Sequence, residues 1–290
     1  MIKLSIVILS YNTKDLTLAC LNSIVLQYKQ ELKEKELEII IVDNNSHDNS
    51  VASIKKAFSD SGYLTLVESK ENVGFGKGCN LGAKAAKGEY ILFLNSDTEV
   101  LDRGFLSMID FLEKNKNIGI LGGRLLNPDD NLQPSGGNFY NLWNLFLMLI
   151  GGERLGFVKK SAKKEERVDW VSGACMMINK ILLNKLRGFD EYFFMYIEDM
   201  ELCFRVRKMG LLTYFYPHIE LKHRSLGSSN RTFAIINIYK GILHFYSKHK
   251  TYLEYLIAKT LLIAKAEILI LVGFLTFNSE LRDRYKKAIF

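Results

Sequence analysis

The chain has 290 residues, of which 48% are hydrophobic and 24% charged, and its formal net charge is +7. This composition argues against an intrinsically disordered protein and predicts one large globular domain, or one domain with an appendage. Residues 231–290 contain ten Lys or Arg against four Asp or Glu, so +6 of the charge lies there. These basic residues alternate with aliphatic rather than aromatic ones, which argues against a nucleic-acid-binding protein.

The cysteines and the N-terminal residues both indicate a cytoplasmic protein. The apolar run 4–9 is too short for a signal peptide, so nothing in it directs export. The cysteines are far apart and lack the paired spacing of a metal site, which favours reduced, packed thiols. They are Cys20, Cys79, Cys175 and Cys203.

Strands and helices alternate in the first half of the chain. This order predicts an α/β fold with a parallel, nucleotide-binding sheet. Beyond it, 127–137 is rich in turn residues, and the short apolar patch 141–150 is predicted to belong to a loop region. A further strand is predicted over 176–178. The predicted strands of the first half are 4–9, 37–42, 63–67, 90–94 and 118–121, and the helices are 16–26, 51–58, 77–86 and 105–114.

Polar clusters follow the predicted strands at 10–12, 43–46 and 95–97. Ligands bind beyond the carboxyl ends of strands in open α/β sheets, so Asp97 is the first candidate site residue. Asp43 could accept a hydrogen bond from the ring N–H of uracil or thymine, or it could cap the following helix. The two alternatives remain open from the residues alone.

A glycine-rich loop occupies 72–80, with Gly74, Gly76 and Gly78 just before a predicted helix. Glycines allow backbone N–H groups to approach a phosphate or sugar, and a helix N-terminus favours negative charge. The alternative is a tight turn into the helix. The spacing is not that of the dinucleotide-binding fingerprint.

The C-terminal stretch 231–290 is both basic and strongly apolar. Lys259, Lys265 and Glu267 divide its apolar run into pieces about half as long as the roughly 20 residues that a spanning helix requires. We expect this tail to lie on the surface of a bilayer. A buried helical hairpin or a contact within an oligomer remains the alternative.

Taken in order, the segments 7–12, 41–46, 72–80 and 94–97 resemble glycosyltransferase family 2, most closely its rhamnosyltransferase-type branch. The resemblance implies a GT-A fold, a nucleotide diphosphate sugar donor, a divalent cation (Mn²⁺ or Mg²⁺) and inversion at the anomeric carbon. It implies a GT-A domain over 1–230, with a nucleotide-sugar half (1–125) and an acceptor half (126–230), followed by the helical, membrane-associating tail.

The resemblance also implies roles for individual residues. Asp97 and His223 would bind the metal, although the first carboxylate of the family's D-x-D signature is replaced by Asn95. One carboxylate can suffice, because phosphate and water supply the other ligands. The donor-binding residues implied are Ser10, Tyr11, Asn12, Asp43, Asn45, Asn72, Gly74, Phe75, Gly76, Asn80, Asn95, Ser96 and Asp97.

The second half of the chain supplies the implied catalytic residues. Asp199 is similar to the family's general base, and Glu198 is the second candidate. On a helix, Glu198 and Glu201 would share a face and Asp199 would point elsewhere. The alternative is a solvated acidic first turn. The implied acceptor-binding residues are Trp170, Ser172 and Gly173, and the candidate cations for the diphosphate are Lys77 and Arg224.

The Trp170 ring could contact the apolar face of a sugar, or it could lie in the core. The resemblance implies an inverting, metal-dependent transferase that moves L-rhamnose from dTDP-L-rhamnose to a lipid-linked glycan in cell-surface polysaccharide biosynthesis. We expect it at the inner face of the cell membrane, where it could form a homo-oligomer. The alternatives are a UDP-hexose or UDP-galactofuranose transferase of the same fold, and a non-catalytic scaffold that binds glycan or nucleotide.

Overall fold

A computed structural model describes residues 2–59, 61–152, 158–225 and 230–289. Its strands include every strand predicted above, most of them extended by one to five residues. They are β1 (Leu4–Ser10), β2 (Leu37–Asp43), β3 (Leu64–Glu68), β4 (Tyr90–Asn95), β5 (Thr98–Val100), β6 (Ile118–Leu126), β7 (Gly136–Gly137), β8 (Lys159–Lys160), β9 (Glu166–Val168), β10 (Trp170–Val171), β11 (Cys175–Asn179) and β12 (Leu212–His223).

The predicted helices are also present, and the first of them is much longer than expected. The helices are α1 (Lys14–Lys33), α2 (Ser50–Phe58), α3 (Phe75–Ala85), α4 (Phe105–Lys114), α5 (Leu142–Leu149), α6 (Lys180–Lys185), α7 (Glu198–Lys208), α8 (Arg231–His249), α9 (Tyr252–Leu275) and α10 (Ser279–Ile289).

The main sheet has the strand order β3-β2-β1-β4-β11-β6-β12-β5 within the described residues, and β9 pairs with β12. Strands β1 to β4 are parallel, as predicted, whereas β11 is antiparallel to both of its neighbours, β4 and β6. The register places Ser10 beside Asp43 and Leu9 beside Asn95. The polar clusters after β1, β2 and β4 therefore meet at one edge of the sheet.

The central strands are apolar on both faces because helices cover both faces of the sheet. Ile6 and Ile8 of β1 pack into one hydrophobic cluster, and Val7 packs into the other. Alternate residues of a strand point to opposite faces, so a continuous apolar run is what a doubly covered sheet requires. The four cysteines are free and buried, as expected.

The prediction that 141–150 belongs to a loop region was wrong, since most of this segment is helix α5. Asn141 caps the helix by accepting a hydrogen bond from Asn144 N at 2.8 Å. Leu145 and Leu149 are buried, and α5 packs against α9. The partner that stabilises α5 thus lies more than 100 residues further along the chain.

The C-terminal tail is helical and shares the core of the rest of the chain. Phe245 and Tyr246 of α8 are fully buried, in the same hydrophobic cluster as Phe93 of β4 and Phe189. Tail residues thus belong to the main core. Within the described ranges, no helix combines enough length and apolar character to cross a membrane.

Candidate functional site

A cavity of about 750 Å³ opens at the carboxyl ends of β1 and β4. Its wall includes the first residues of α3, α7 and α8, so segments distant in sequence meet there. The residues predicted to bind ligand that line it are Tyr11, Asn72, Gly74, Phe75, Asn95, Ser96, Asp97, Trp170, Ser172, Gly173, Glu198, Asp199 and His223.

Asp97 and His223, the predicted metal ligands, lie side by side in this wall. Asp97 Oδ1 is 3.2 Å from His223 Nε2, and both side chains are about one-tenth exposed. Residues 98–100 pair with 221–223 of β12, and Arg224 N donates to Asp97 O at 3.1 Å. The end of β12 is thereby fixed against the end of β4.

Gln133 orients the His223 ring, a role that no sequence pattern predicted. His223 Nδ1 lies 2.7 Å from Gln133 Oε1, and an amide oxygen can only accept, so Nδ1 carries the proton. Gln133 Nε2 donates to Asn127 Oδ1 at 2.8 Å and to Ser225 Oγ at 2.7 Å. The other ring nitrogen of His223, Nε2, faces the Asp97 carboxylate.

These residues fit a divalent cation. Two adjacent ligands at about 2.1 Å in octahedral geometry are separated by about 3.0 Å, close to the 3.2 Å between Asp97 Oδ1 and His223 Nε2. The Asn95 amide also lies 3.1 Å from His223 Nε2. Among the described residues no cluster of three His, Cys, Asp or Glu is present, so the remaining ligands would come from diphosphate and water.

Asn44 fixes the conformation of the glycine-rich loop through side-chain hydrogen bonds. Its Nδ2 donates to Asn72 Oδ1 at 2.8 Å, and its Oδ1 accepts from Val73 N at 2.9 Å. Gly74 has φ +84°, and a Cβ there would lie 2.3 Å from Phe194 O. The conformation and the close approach both require glycine.

Glu198, which is buried, and Asp199, which is partly exposed, form a carboxyl pair at the start of α7. Glu198 is 4% exposed, and its Oε2 has no hydrogen-bond partner among the described residues. Burial, followed by the adjacent Asp199, raises the pKa of Glu198 from 4.5 to about 8. Burial also raises the pKa of Asp199, opposed by N–H groups of Gly173 (3.2 Å) and Met200 (2.7 Å), which donate to its oxygens.

The prediction that Glu198 and Glu201 share a face while Asp199 points elsewhere was wrong. The end of α7 faces the cavity, so Glu198 and Asp199 both line it. Glu201 is fully buried on another side, where it accepts from Arg205 at 2.8 Å and from Lys248 at 2.9 Å. His249 Nε2 lies 2.9 Å from it as well. Nor is the first turn fully solvated, since Glu198 is buried and Asp199 is only partly exposed.

The turn before α7 adopts an unfavourable backbone conformation. Tyr196 and Ile197 both have φ +72°, a region that β-branched residues such as isoleucine rarely occupy. Ile197 is 8% exposed and packs against Gly241 of α8, where an added Cβ would lie 3.0 Å from it. Packing against α8 thus holds a strained turn next to the carboxyl pair.

Six predicted donor residues lie outside the cavity wall, and most of them support the loops that form it. Asn12 (φ +52°) joins two strand ends, with its Oδ1 accepting from His47 N at 2.7 Å. Asn80 accepts from Phe189 N at 2.8 Å. The six residues are Ser10, Asn12, Asp43, Asn45, Gly76 and Asn80.

Asp43 differs from the other five in that one of its two carboxylate oxygens makes no hydrogen bond among the described residues. Its Oδ2 accepts from Ser46 N at 2.9 Å, but its buried Oδ1 has no partner among the described residues. Asp43 does not cap α2, which begins at Ser50 and is preceded by Asn49. The helix-cap alternative is therefore excluded.

The candidate cations Lys77 and Arg224 do not line the cavity, whereas Lys159 and Arg231 do. Arg231 opens α8, in the tail that was expected to lie on the surface of a bilayer. Leu226, Gly227 and Ser228, which belong to the segment around His223 that carries the resemblance, lie outside the described residues.

Trp170 is largely buried, with 9% of its surface exposed. Its indole N–H donates to Asn138 O at 3.1 Å, so only part of the ring faces the cavity. A Cβ at Gly173 would lie 2.9 Å from the Phe75 ring, which explains the small residue beside Asp199. Most of the Trp170 ring thus lies in the core, and the remainder forms part of the cavity wall.

A central sheet covered by helices, with its ligand cavity at the strand ends, defines a GT-A-type α/β protein. Residues 5–187 match the family model described as glycosyl transferase family 2, and the chain belongs to this family. The resemblance inferred from the sequence motifs is thereby confirmed.

Curated relatives include rhamnosyltransferases. An N-acetylglucosaminyl-diphospho-decaprenol L-rhamnosyltransferase of Mycobacterium tuberculosis is 24% identical over 217 residues, covering 68% of this chain and 70% of that protein. The rhamnosyltransferase WbbL of Escherichia coli is 25% identical, over 55% of this chain and 64% of its own length.

Solved structures show the same fold. The mannosyltransferase PcManGT of Pyrobaculum calidifontis, in complex with GDP-Man and Mn²⁺, aligns with a TM-score of 0.60 at 16% identity, over 99% of this chain and 85% of that one. GalNAc-T7 with UDP, GalNAc and Mn²⁺ aligns with a TM-score of 0.64 at 15% identity, over 85% of this chain and 48% of that one.

Proposed function

We propose that this protein is an inverting glycosyltransferase that uses a nucleotide diphosphate sugar and a divalent cation. The observation that carries the proposal is that one cavity holds both the Asp97–His223 pair and the Glu198–Asp199 pair. The first pair fits a cation beside a diphosphate. The second supplies carboxyl groups that can accept a proton.

The unequal surroundings of the two carboxyls suggest their roles. Two backbone N–H groups donate to Asp199 and stabilise its ionised form, whereas Glu198 is held protonated by burial beside it. Environments that separate the pKa values of two carboxyls assign acid and base roles. Asp199 is therefore the general base, and Glu198 is its neutral neighbour.

In the proposed reaction, the acceptor hydroxyl oxygen bonds to the anomeric carbon while the bond from that carbon to the diphosphate oxygen breaks. Asp199 takes the hydroxyl proton, and the leaving diphosphate takes the bonding electrons. A bound divalent cation would offset the negative charge that develops on the diphosphate. Lys159 and Arg231, which also line the cavity, add positive charge there.

We propose L-rhamnose, carried by dTDP, as the transferred sugar and a lipid-linked glycan as the acceptor. The rhamnosyltransferases among the relatives support this choice. The unpaired Asp43 Oδ1 would accept the ring N–H of the base, which thymine and uracil share. A lipid-linked acceptor would place the enzyme at the inner surface of the cell membrane, which the basic C-terminal helices would contact.

The test is thermal stabilisation by dTDP and UDP, each with and without Mn²⁺, followed by donor consumption with dTDP-rhamnose and UDP-hexoses. We expect Mn²⁺-dependent stabilisation that is stronger with dTDP and is reduced in Asp97→Asn. Preference for UDP would replace the rhamnose donor with a UDP-hexose or UDP-galactofuranose. Stabilisation without any donor consumption would favour the scaffold, and no stabilisation would overturn the proposal.

A further inference from the structure

Helix α9 is apolar on two opposite sides, only one of which is covered. Its buried side packs on the protein through Ala258, Leu262, Ala266 and Gly273. On the opposite side, apolar residues recur at helical spacing and face solvent. These residues, the outer stripe of α9, are Leu253 (67% exposed), Leu256, Ile257, Ile268, Leu271, Phe274 and Leu275 (71% exposed).

Helix α5, which packs against α9, repeats this arrangement. Leu145 and Leu149 are buried, whereas Trp143, Phe146 and Ile150 are exposed at positions i, i+3 and i+7. The Trp143 and Phe146 rings stack at 5.9 Å. Two neighbouring helices thus leave apolar stripes in solvent, which is unusual for a soluble monomer unless the surface has a partner.

The charges around the outer stripe favour an anionic partner. Lys259 and Lys265 lie on its two flanks at helical spacing, the exposed Glu267 lies within it, and Nζ of Lys286 on α10 lies 5.6 Å from the centre of the Phe274 ring. The whole segment 231–290 has a balance of +6. A second copy of the chain would bring these like charges together, whereas anionic lipid headgroups would neutralise them.

A basic cavity of about 420 Å³ lies where both helices begin. Asn141, just before α5, and Lys250, just before α9, contribute to its wall together with Lys208 and the Arg207–Asp169 ion pair. Phosphate groups at a membrane surface would meet positive charge there. Trp143 and Tyr252, 65% and 75% exposed, are residue types enriched at the membrane–water interface.

We propose that the outer faces of α5 and α9 form one docking surface for an anionic phospholipid bilayer. The apolar stripes enter the boundary between headgroups and acyl chains, and the flanking lysines contact the headgroups. The inference deepens the proposed action at the membrane surface. Its test contains no nucleotide sugar, so its failure would leave the transfer reaction unaffected.

The experiment uses the full-length chain and vesicles of phosphatidylglycerol or of phosphatidylcholine alone, with binding measured by flotation. The wild type should bind the anionic vesicles. In the Leu271→Ser/Leu275→Ser double variant this binding should weaken on the order of tenfold or more, because two exposed leucines no longer enter the membrane. Leu26→Ser, a 79% exposed leucine on α1, is the matched control and should bind like the wild type.

Tryptophan fluorescence reports on α5 in the same samples. The chain has two tryptophans, and Trp170 is buried, so a blue shift on adding anionic vesicles would come from Trp143. Trp143→Phe should abolish the shift. Equal vesicle binding by the double variant and the wild type, or no shift in the wild type, would overturn the proposal. Dissociation of a dimer in the double variant, without a change in vesicle binding, would assign the surface to a second copy instead.

Discussion

Replacing Glu198 by glutamine should stabilise the protein at neutral pH. In the folded chain the pKa of Glu198 is raised from 4.5 to about 8 by burial and by Asp199. Between these pH values, the folded state keeps the proton that the unfolded chain has released. Stability therefore falls as pH rises through this window, by about 1.4 kcal/mol per pH unit.

Glutamine has nearly the shape of protonated glutamate and does not ionise, so Glu198→Gln escapes this loss. The unfolded-state pKa of 4.5 lies about 2.5 units below pH 7. At about 1.4 kcal/mol per unit, the variant should therefore gain roughly 3 kcal/mol of stability over the wild type at pH 7. The difference should be small at pH 5 and should grow up to pH 8. Denaturant unfolding at pH 5, 6, 7 and 8 measures it.

The control is Glu99→Gln, which removes an exposed carboxylate elsewhere on the chain. It separates the effect of net charge from the effect of burial. A stability difference for Glu198→Gln that does not change with pH would refute the reasoning, because it would mean that Glu198 ionises alike in the folded and unfolded states. A variant less stable than the wild type at pH 8 would refute it as well.

Three further predictions concern Asp199, Gln133 and Glu201. Asp199→Asn should lower the rate of sugar transfer on the order of 10²-fold or more without weakening nucleotide binding, and wild-type turnover would exclude it as the base. Gln133→Leu should weaken Mn²⁺ binding in the presence of the nucleotide about 10–100-fold, measured by calorimetry, because His223 loses its orienting acceptor; unchanged binding would argue against His223 as a ligand. Glu201→Gln should lower the free energy of unfolding by about 3 kcal/mol, because it leaves the largely buried Arg205 and the partly buried Lys248 without their carboxylate; a loss below 1 kcal/mol, by denaturant titration, would contradict this.

The sheet could be predicted from the sequence because each of its central strands is a continuous apolar run. Both faces of these strands are buried, so their assignment needed no knowledge of distant partners. Helix α5 is the opposite case. Its buried residues, Leu145 and Leu149, contact α9, and nothing within 141–150 indicates that partner.

The candidate site likewise contains residues that could be predicted from the sequence and residues that could not. Asp97 could be predicted because it follows a strand, and its neighbour His223 was found through the resemblance. Gln133 was missed because its role depends on hydrogen bonds that only the folded chain forms. The direction of Glu201 was predicted wrongly because helical periodicity does not show that the end of α7, rather than its side, faces the cavity.

The position of α8 has a consequence for the synthesis of the protein. Helix α8 contributes Arg231 and Phe233 to the cavity wall, and its Tyr246 lies in the same core as strands of the first hundred residues. A nascent chain that still holds these residues inside the ribosome has an open cavity and an uncovered apolar surface. We therefore predict that binding of the proposed nucleotide-sugar donor appears only after α8 has emerged.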